Sequence, residues 1–457
     1  MKTMTLLLST LILLQSNFAM SSQCGHLYGE PTGDIFQTKI DQLTHTTKSS
    51  DNEVINLADA VEDYQKRIEL REQAKRFIHL YTLFIEDNKT GLESAAHLVK
   101  KSQLDNVEVN LIYSPVAQIS TSPKIITGLR NMGINVRPYF PKNAQGVVYQ
   151  TIYGAHKKAL IVDSKKYGIE AIVGGRNIGD NYFANIPDDD KAGFPNIWKD
   201  SDILIRGSVL HELVDDYIYS FNRHSWKDDK IIECNNGKSQ CDYYPKVTTS
   251  ENAILSDMRL LENEPDENKG KGIFEINDMY AELLAQARYT VDIQTPYFIP
   301  QAPLLDKLHE ALSNGVKVRI LTNSIRGNDL GTPLFYASAY YWKKLIENGA
   351  EIYLWDLPES KVDKEIRRTM HSKIITVDDC ITMPGSWNFD GRSYAWENEY
   401  AFPIYNPLIS QQSTELLNEE LALNGIVQVD KEWLETNFTS WDYIKAFFYS
   451  KLLSKYL

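Results

Sequence analysis

Hydrophobic and polar positions along the chain follow two rhythms, and the rhythms come in the same order twice. Phe77-Ile78-His79-Leu80-Tyr81 reads as a strand entering the core, and Val291-Asp292-Ile293-Gln294-Thr295 reads the same way further on. A helix is expected after each, over Gly91–Lys101 and Leu304–Asn314. Alternating strands follow at Val107–Ile112 and Val316–Leu321. Next, Leu129–Val136 and Leu345–Ile352 each read as a helix end passing into a strand. Gly133 and Gly349 are the glycines expected where those helices stop. A long-period internal repeat of this kind implies a duplicated supersecondary unit. Alternating strands and helices predict the α/β class: two similar α-β-α sandwich halves packed around one shared active site.

Loop signals divide the chain. Asn235-Asn236-Gly237-Lys238 and the polar run Glu262–Gly270 bracket the expected boundary. The reading is a first half over 22–245, a second half over 246–430 and an amphipathic C-terminal helix over 431–457. The first half carries extra chain between Asn177 and Asp200, where Pro187–Pro195 reads as a surface loop, either a lid or a tolerated insertion. In the last segment Trp441, Tyr443, Ile444, Phe447, Phe448, Leu452 and Leu453 fall at helical spacings, with Lys445, Lys451 and Lys455 between them. Such a helix could lie on a membrane surface, making peripheral membrane contact. It could instead pack on the second half.

The N-terminus carries a different pattern. Lys2 precedes the apolar run Leu6–Leu14, which closes at Asn17-Phe18-Ala19-Met20-Ser21. That is the layout of a signal peptide over 1–21, so export to the periplasm or the exterior is expected. The run falls short of the ~20 residues needed to span a bilayer. Cys24 invites lipoprotein processing, but Gln23 is a poor residue to precede a lipidated cysteine.

At 457 residues the chain exceeds one ordinary core. Its net charge of −13 argues against affinity won by neutralising nucleic-acid phosphates, so nucleic acid is not the expected partner. Cys234 and Cys241 flank a turn-rich segment and could close a small disulfide loop or remain free thiols; Cys380 is expected to pack beside a strand. No Cys or His/carboxylate spacing suits zinc, so neither metal nor other cofactor is expected.

The candidate chemistry is itself duplicated. His156, Lys158 and Asp163 read His-x-Lys-x4-Asp, and His371, Lys373 and Asp378 read it again. Asn177 follows Gly174-Gly175-Arg176 in the first copy, and Asn388 follows Gly385-Ser386-Trp387 in the second. Each motif is expected on a strand, Lys158–Asp163 and Lys373–Asp378, where period two turns His and Lys to one face. Asp163 and Asp378 then fall on the opposite face, suited to bonding backbone or a neighbouring turn. Two histidines, two lysines and two asparagines can converge on one phosphate, so a single chain should be competent alone. One histidine can attack phosphorus, and the other can protonate the leaving alkoxide. Lys158, Lys373, Asn177 and Asn388 suit the non-bridging oxygens, and Ser386 offers a hydroxyl to the phosphate on one side only. His79, His97 and His309 read as structural. Arg367 and Arg368 could attract an anionic head group or form a solvent-facing turn.

These motifs resemble the phospholipase D superfamily, over about residues 55 to 430. Within it the chain looks most like the bacterial cardiolipin synthase branch, through Gly174–Phe183, Thr295–Pro300, Leu321–Ser324 and Asn388–Ser393. The resemblance implies phospholipid substrates, with His156 as nucleophile and His371 as acid/base. Glu399 matches the family's acidic residue after the second motif. Aligning Ser201–Ile205 with Tyr400–Ile404 makes Asp200 its counterpart, with Asp202 as the other possibility. The first expectation is an exported phospholipase D-type hydrolase releasing head groups through a phosphohistidine, with transfer to alcohols as a further outcome. A cardiolipin synthase-like phosphatidyltransferase comes next, then an exported nuclease. The intact motifs count against a non-catalytic binding protein.

Overall fold

The computed structural model describes residues 24–28, 33–115, 122–142, 153–183, 198–225, 229, 231–232, 246–358 and 368–453. The segment 1–21, the loop 187–195, Cys234, Cys241 and Arg367 lie outside the described residues.

The repeat becomes one continuous sheet. Its first-half strands are β1 (Ser49–Leu57), β2 (Phe77–Thr82), β3 (Glu108–Tyr113), β4 (Asn135–Pro138), β5 (Ala159–Ser164), β6 (Gly168–Gly174) and β7 (Asp202–Arg206). Its second-half strands are β8 (Leu255–Met258), β9 (Thr290–Gln294), β10 (Lys317–Asn323), β11 (Glu351–Trp355), β12 (Ile374–Val377), β13 (Ile381–Pro384), β14 (Ile404–Tyr405) and β15 (Ile426–Val429). The order is β15-β11-β10-β9-β12-β13-β14-β8-β1-β7-β6-β5-β2-β3-β4. β2, β3 and β4 run parallel, as do β9, β10 and β11. Each parallel set passes into antiparallel strands through β5 or β12, the strand entered from the motif. The halves meet where β1 pairs with β8.

Alternation along the strands builds two-sided cores. In β2, Ile78 and Leu80 face a layer holding Leu70, Leu98 and Leu129, while Phe77 and Tyr81 face Leu213 and Tyr217 on the other side. In the second half, β9 and β10 pack beneath Met279, Leu308 and Trp342, and Leu321 meets Leu417 across the opposite face. Buried His79 is structural, stacked between Phe77 and Tyr217. His97 pairs with Glu72, and His309 with the Asn348 amide.

Three local features depart from the sequence reading. Cys24 is buried and joined to Cys380, a pairing that no local cysteine spacing suggested. Cys24, Leu27, Phe36 and Ile40 all join the core of the second half, although they precede the first in sequence. Arg368 is buried at 3% exposure and does not form a solvent-facing turn.

Candidate active site

Both His-x-Lys segments lie just before their strands, because β5 begins at Ala159 and β12 at Ile374. Their backbone is taken up by two short ladders between the halves. Gly154–Ala155 pairs in parallel with Glu397–Asn398, and the His156 N–H donates to the Asn398 carbonyl at 3.1 Å. Trp198–Lys199 pairs in parallel with Thr369–Met370, and the His371 N–H donates to the Lys199 carbonyl at 2.6 Å. Each ladder therefore brings a histidine to the acid that follows the other half's motif.

The acids cross over. His156 Nδ1 meets the Glu399 carboxylate at 2.8 and 2.9 Å, and His371 Nδ1 meets Asp200 Oδ2 at 2.6 Å. A carboxylate on Nδ1 holds the proton there and leaves Nε2 for chemistry. Lys373 Nζ also approaches His371 Nδ1 at 2.8 Å, but that nitrogen's proton already serves Asp200, so Lys373 donates to the His371 carbonyl instead. Lys158 does the equivalent, donating to the His156 carbonyl at 2.6 Å. Asp202 takes no part: it accepts from Arg67 at 2.6 Å and from the Arg176 N–H at 3.2 Å. Arg176, fully buried, clamps the Asp200 carbonyl at 2.7 Å and so steadies the histidine's partner.

The glycines before the asparagines have a steric reason. A Cβ on Gly175 would fall 2.2 Å from Asp200 Oδ1, so only glycine admits that carboxylate. Ser386 occupies the corresponding place in the second copy. Its Oγ donates to Glu399 and accepts the Tyr400 N–H at 3.0 Å, with no exposed surface. The expectation of a phosphate contact from Ser386 is thus corrected, since the hydroxyl is spent on the carboxylate. Ser393 donates to the same carboxylate at 2.5 Å.

The two motif aspartates face away from the cleft. Asp163 accepts the backbone N–H groups of Lys75, Arg76 and Phe77, and Asp378 those of Arg288, Tyr289 and Thr290. Each pins the start of a central parallel strand. His26 adds a contact to Asp378 at 2.9 Å.

A cleft of about 400 Å³ opens over this constellation. His156, His371, Asn177 and Asn388 line it, and Tyr182, Trp198, Tyr297 and Leu334 form walls. Asn177 is held by the Leu83 N–H and the Tyr182 hydroxyl, whereas buried Asn388 Oδ1 has no hydrogen-bond partner among the described residues. Tyr182 and Trp198 pack against the His371 ring at 5.5 and 5.3 Å. The sequence reading assigned these aromatics no role, because a wall has no motif spacing.

Electrostatics distinguish the two sides. Burial lowers the proton affinity of both histidines, aided by Lys158 at His156 and by Lys373 at His371. Burial brings Lys158 down to about 7 and pushes Glu399 up to about 7. Burial also opposes ionisation of Asp200, but Lys373 and His371 outweigh it and hold that carboxyl below its ordinary range. Asp200 is therefore the firmer anion.

Among the described residues two clusters carry the donor types that bind metals: His156, Glu397 and Glu399, and separately Asp216, Glu262 and Glu264. Neither suits a cation well. The ammonium of Lys157 already lies among the second set, at 3.1, 2.5 and 2.5 Å. The first set shares its pocket with Lys158 and Lys373, whose positive charges repel a metal ion.

Residues 280–421 match the family model described as cardiolipin synthase, phospholipase D-like domain. The chain is 27% identical over 380 residues to the major cardiolipin synthase of Bacillus subtilis, covering 83% of this chain and 71% of that protein. It is 26% identical over 385 residues to a cardiolipin synthase of Clostridium perfringens, covering 84% of this chain and 72% of that protein. In fold it is similar to the crystal structure of phosphatidylserine synthase from Haemophilus influenzae. That match has a TM-score of 0.67 and 16% identity, over 92% of this chain and 99% of that one. With the motif present in both halves, the chain is similar to enzymes of the phospholipase D superfamily, and in sequence to its cardiolipin synthase branch.

Proposed function

We propose that the protein is a cardiolipin synthase-like phosphatidyltransferase working through a phosphohistidine. The observation that carries this reading is the crossed pair of histidine–carboxylate contacts at one cleft, in a chain aligned along most of its length with cardiolipin synthases. Hydrolysis, the first expectation from sequence, yields to transfer because the relatives are named as synthases; water then acts as a competing acceptor.

In the first step His156 Nε2 attacks phosphorus, the bond to the head-group oxygen breaks, and His371 Nε2 gives that oxygen its proton. In the second, His371 takes the proton of an incoming alcohol, whose oxygen attacks phosphorus and displaces His156. Asp200 supports the acid role of His371, because a firm carboxylate favours an imidazolium. His156, held neutral by burial beside Lys158, suits the nucleophile. Lys158, Lys373, Asn177 and Asn388 would carry the charge that builds on the non-bridging oxygens.

Export is part of the proposal. The signal-peptide pattern supports it, and so does the Cys24–Cys380 disulfide, a bond that persists in oxidising compartments. Sequencing the mature N-terminus from fractionated cells tests it, and a chain retaining Met1 in the cytoplasm would count against it.

Incubation with labelled phosphatidylglycerol tests the activity. Cardiolipin and free glycerol are expected. Phosphatidic acid alone would restore the hydrolase reading, and cleavage of nucleic acid with no lipid product would overturn both.

A further inference from the structure

The C-terminal helix Ser440–Leu453 is packed the wrong way round for a soluble surface. Small residues are the most buried part of its seam: Ala446 joins the core of Phe335, Ala339 and Trp342, and Ser450 is equally buried, with Tyr449 packed beside them. Most of its large apolar side chains point outward instead. Trp441, Ile444, Phe447, Phe448 and Leu452 are each more than half exposed. A contiguous outward stripe of this kind marks an interaction surface rather than scattered surface apolars. Among the described residues no helix is long and apolar enough to cross a membrane.

We infer that this face docks the protein on a bilayer containing anionic lipid, setting the catalytic cleft at the membrane surface; the inference rests on the phospholipid reading above. Charge favours that occupant. Lys343 and Lys451 lie over the rings of Tyr443, Tyr340 and Phe447, within the exposed patch. Asp442, the helix's one acid, is tied up by Thr439, Tyr336 and Lys445. An aromatic surface edged by lysines is the composition of an interfacial helix. On a protein of net charge −13, a patch edged by lysines departs from the overall acidic balance and suits an anionic bilayer.

Position connects the face to the chemistry. Tyr449 and Leu453 pack against Tyr297 and Leu334, which also line the cleft, and exposed Leu330 lies on the same rim. The helix and the cleft thus share Tyr297 and Leu334 as a common wall.

The test is flotation of the full chain with phosphatidylcholine vesicles, with and without about one third phosphatidylglycerol. Combined Ile444→Ser, Phe447→Ser and Phe448→Ser is expected to weaken binding roughly ten-fold or more. Turnover of a short-chain monomeric phosphatidyl substrate should be unchanged, while turnover of vesicle lipid falls with binding. Lys451→Glu, a single exposed change, should weaken binding to the anionic vesicles only. Undiminished vesicle binding by both variants overturns the inference. So does a wild-type dimer that the triple variant dissolves, since a second copy would then cover the face. Short-chain transfer without vesicle binding also rejects docking but spares the proposed activity. Vesicle binding without transfer upholds docking and rejects that activity.

Discussion

At the scale of single residues, the two halves are similar but not equivalent. Asp200 sits where glycine makes room for it, whereas Glu399 is held by two serine hydroxyls. Replacing Asp200 with Asn keeps the shape and removes the charge that steadies a protonated His371. The expected result is a fall in kcat of roughly 10²–10⁴-fold with KM little changed, measured by steady-state transfer. Glu399 gives a pH prediction. Burial raises its carboxyl from 4.5 to about 7, so between those values the folded chain keeps a proton that the unfolded chain has lost. The stability from that proton is full below the lower value and disappears as pH rises through the upper one. Glu399→Gln, always neutral, should therefore gain in melting temperature relative to the parent between about pH 5 and about pH 8. The histidines, lysines and asparagines were legible from spacing, and Asp200 from aligning two strands. Ser386 was misread because spacing shows that a hydroxyl is present but not which neighbour reaches it first.

At the scale of elements, the repeated strands, the two motif strands and the glycine-stopped helices could be read from periodicity, whereas the strands Gly168–Gly174 and Ile381–Pro384 that pair with the motif strands were not named. The two short inter-half ladders could not be read. Gly154–Ala155 and Trp198–Lys199 are two-residue strands, too brief to produce a pattern, yet they carry each histidine to the opposite half's acid. The Cys24–Cys380 bridge was hidden for another reason: its cysteines are separated by 356 positions, and no local spacing connects them. It ties the segment around Leu27, Phe36 and Ile40 to the second half. Replacing both cysteines with serine should cost about 2–5 kcal/mol in a denaturant titration. Activity at low temperature should persist, because the bridge lies away from the cleft. Loss of activity without loss of stability would contradict that separation.

At the scale of the whole molecule, duplication produced one site rather than two. The sheet runs unbroken from β15 to β4, and its central junction sets the two motif strands on either side of one cleft. The repeat in the sequence implied this convergence, but the crossing of the acids emerges only when both halves are folded together. One chain should therefore carry one phosphohistidine at a time. The most direct test uses a phosphatidyl ester with an activated phenol leaving group, which departs without an acid, and intact-mass analysis of the quenched protein. In His371→Ala, one phosphatidyl group per chain should accumulate on His156, and in His156→Ala none should form. Two adducts per chain, or an adduct on His371 in the His156→Ala variant, would contradict a single composite site with His156 as its nucleophile.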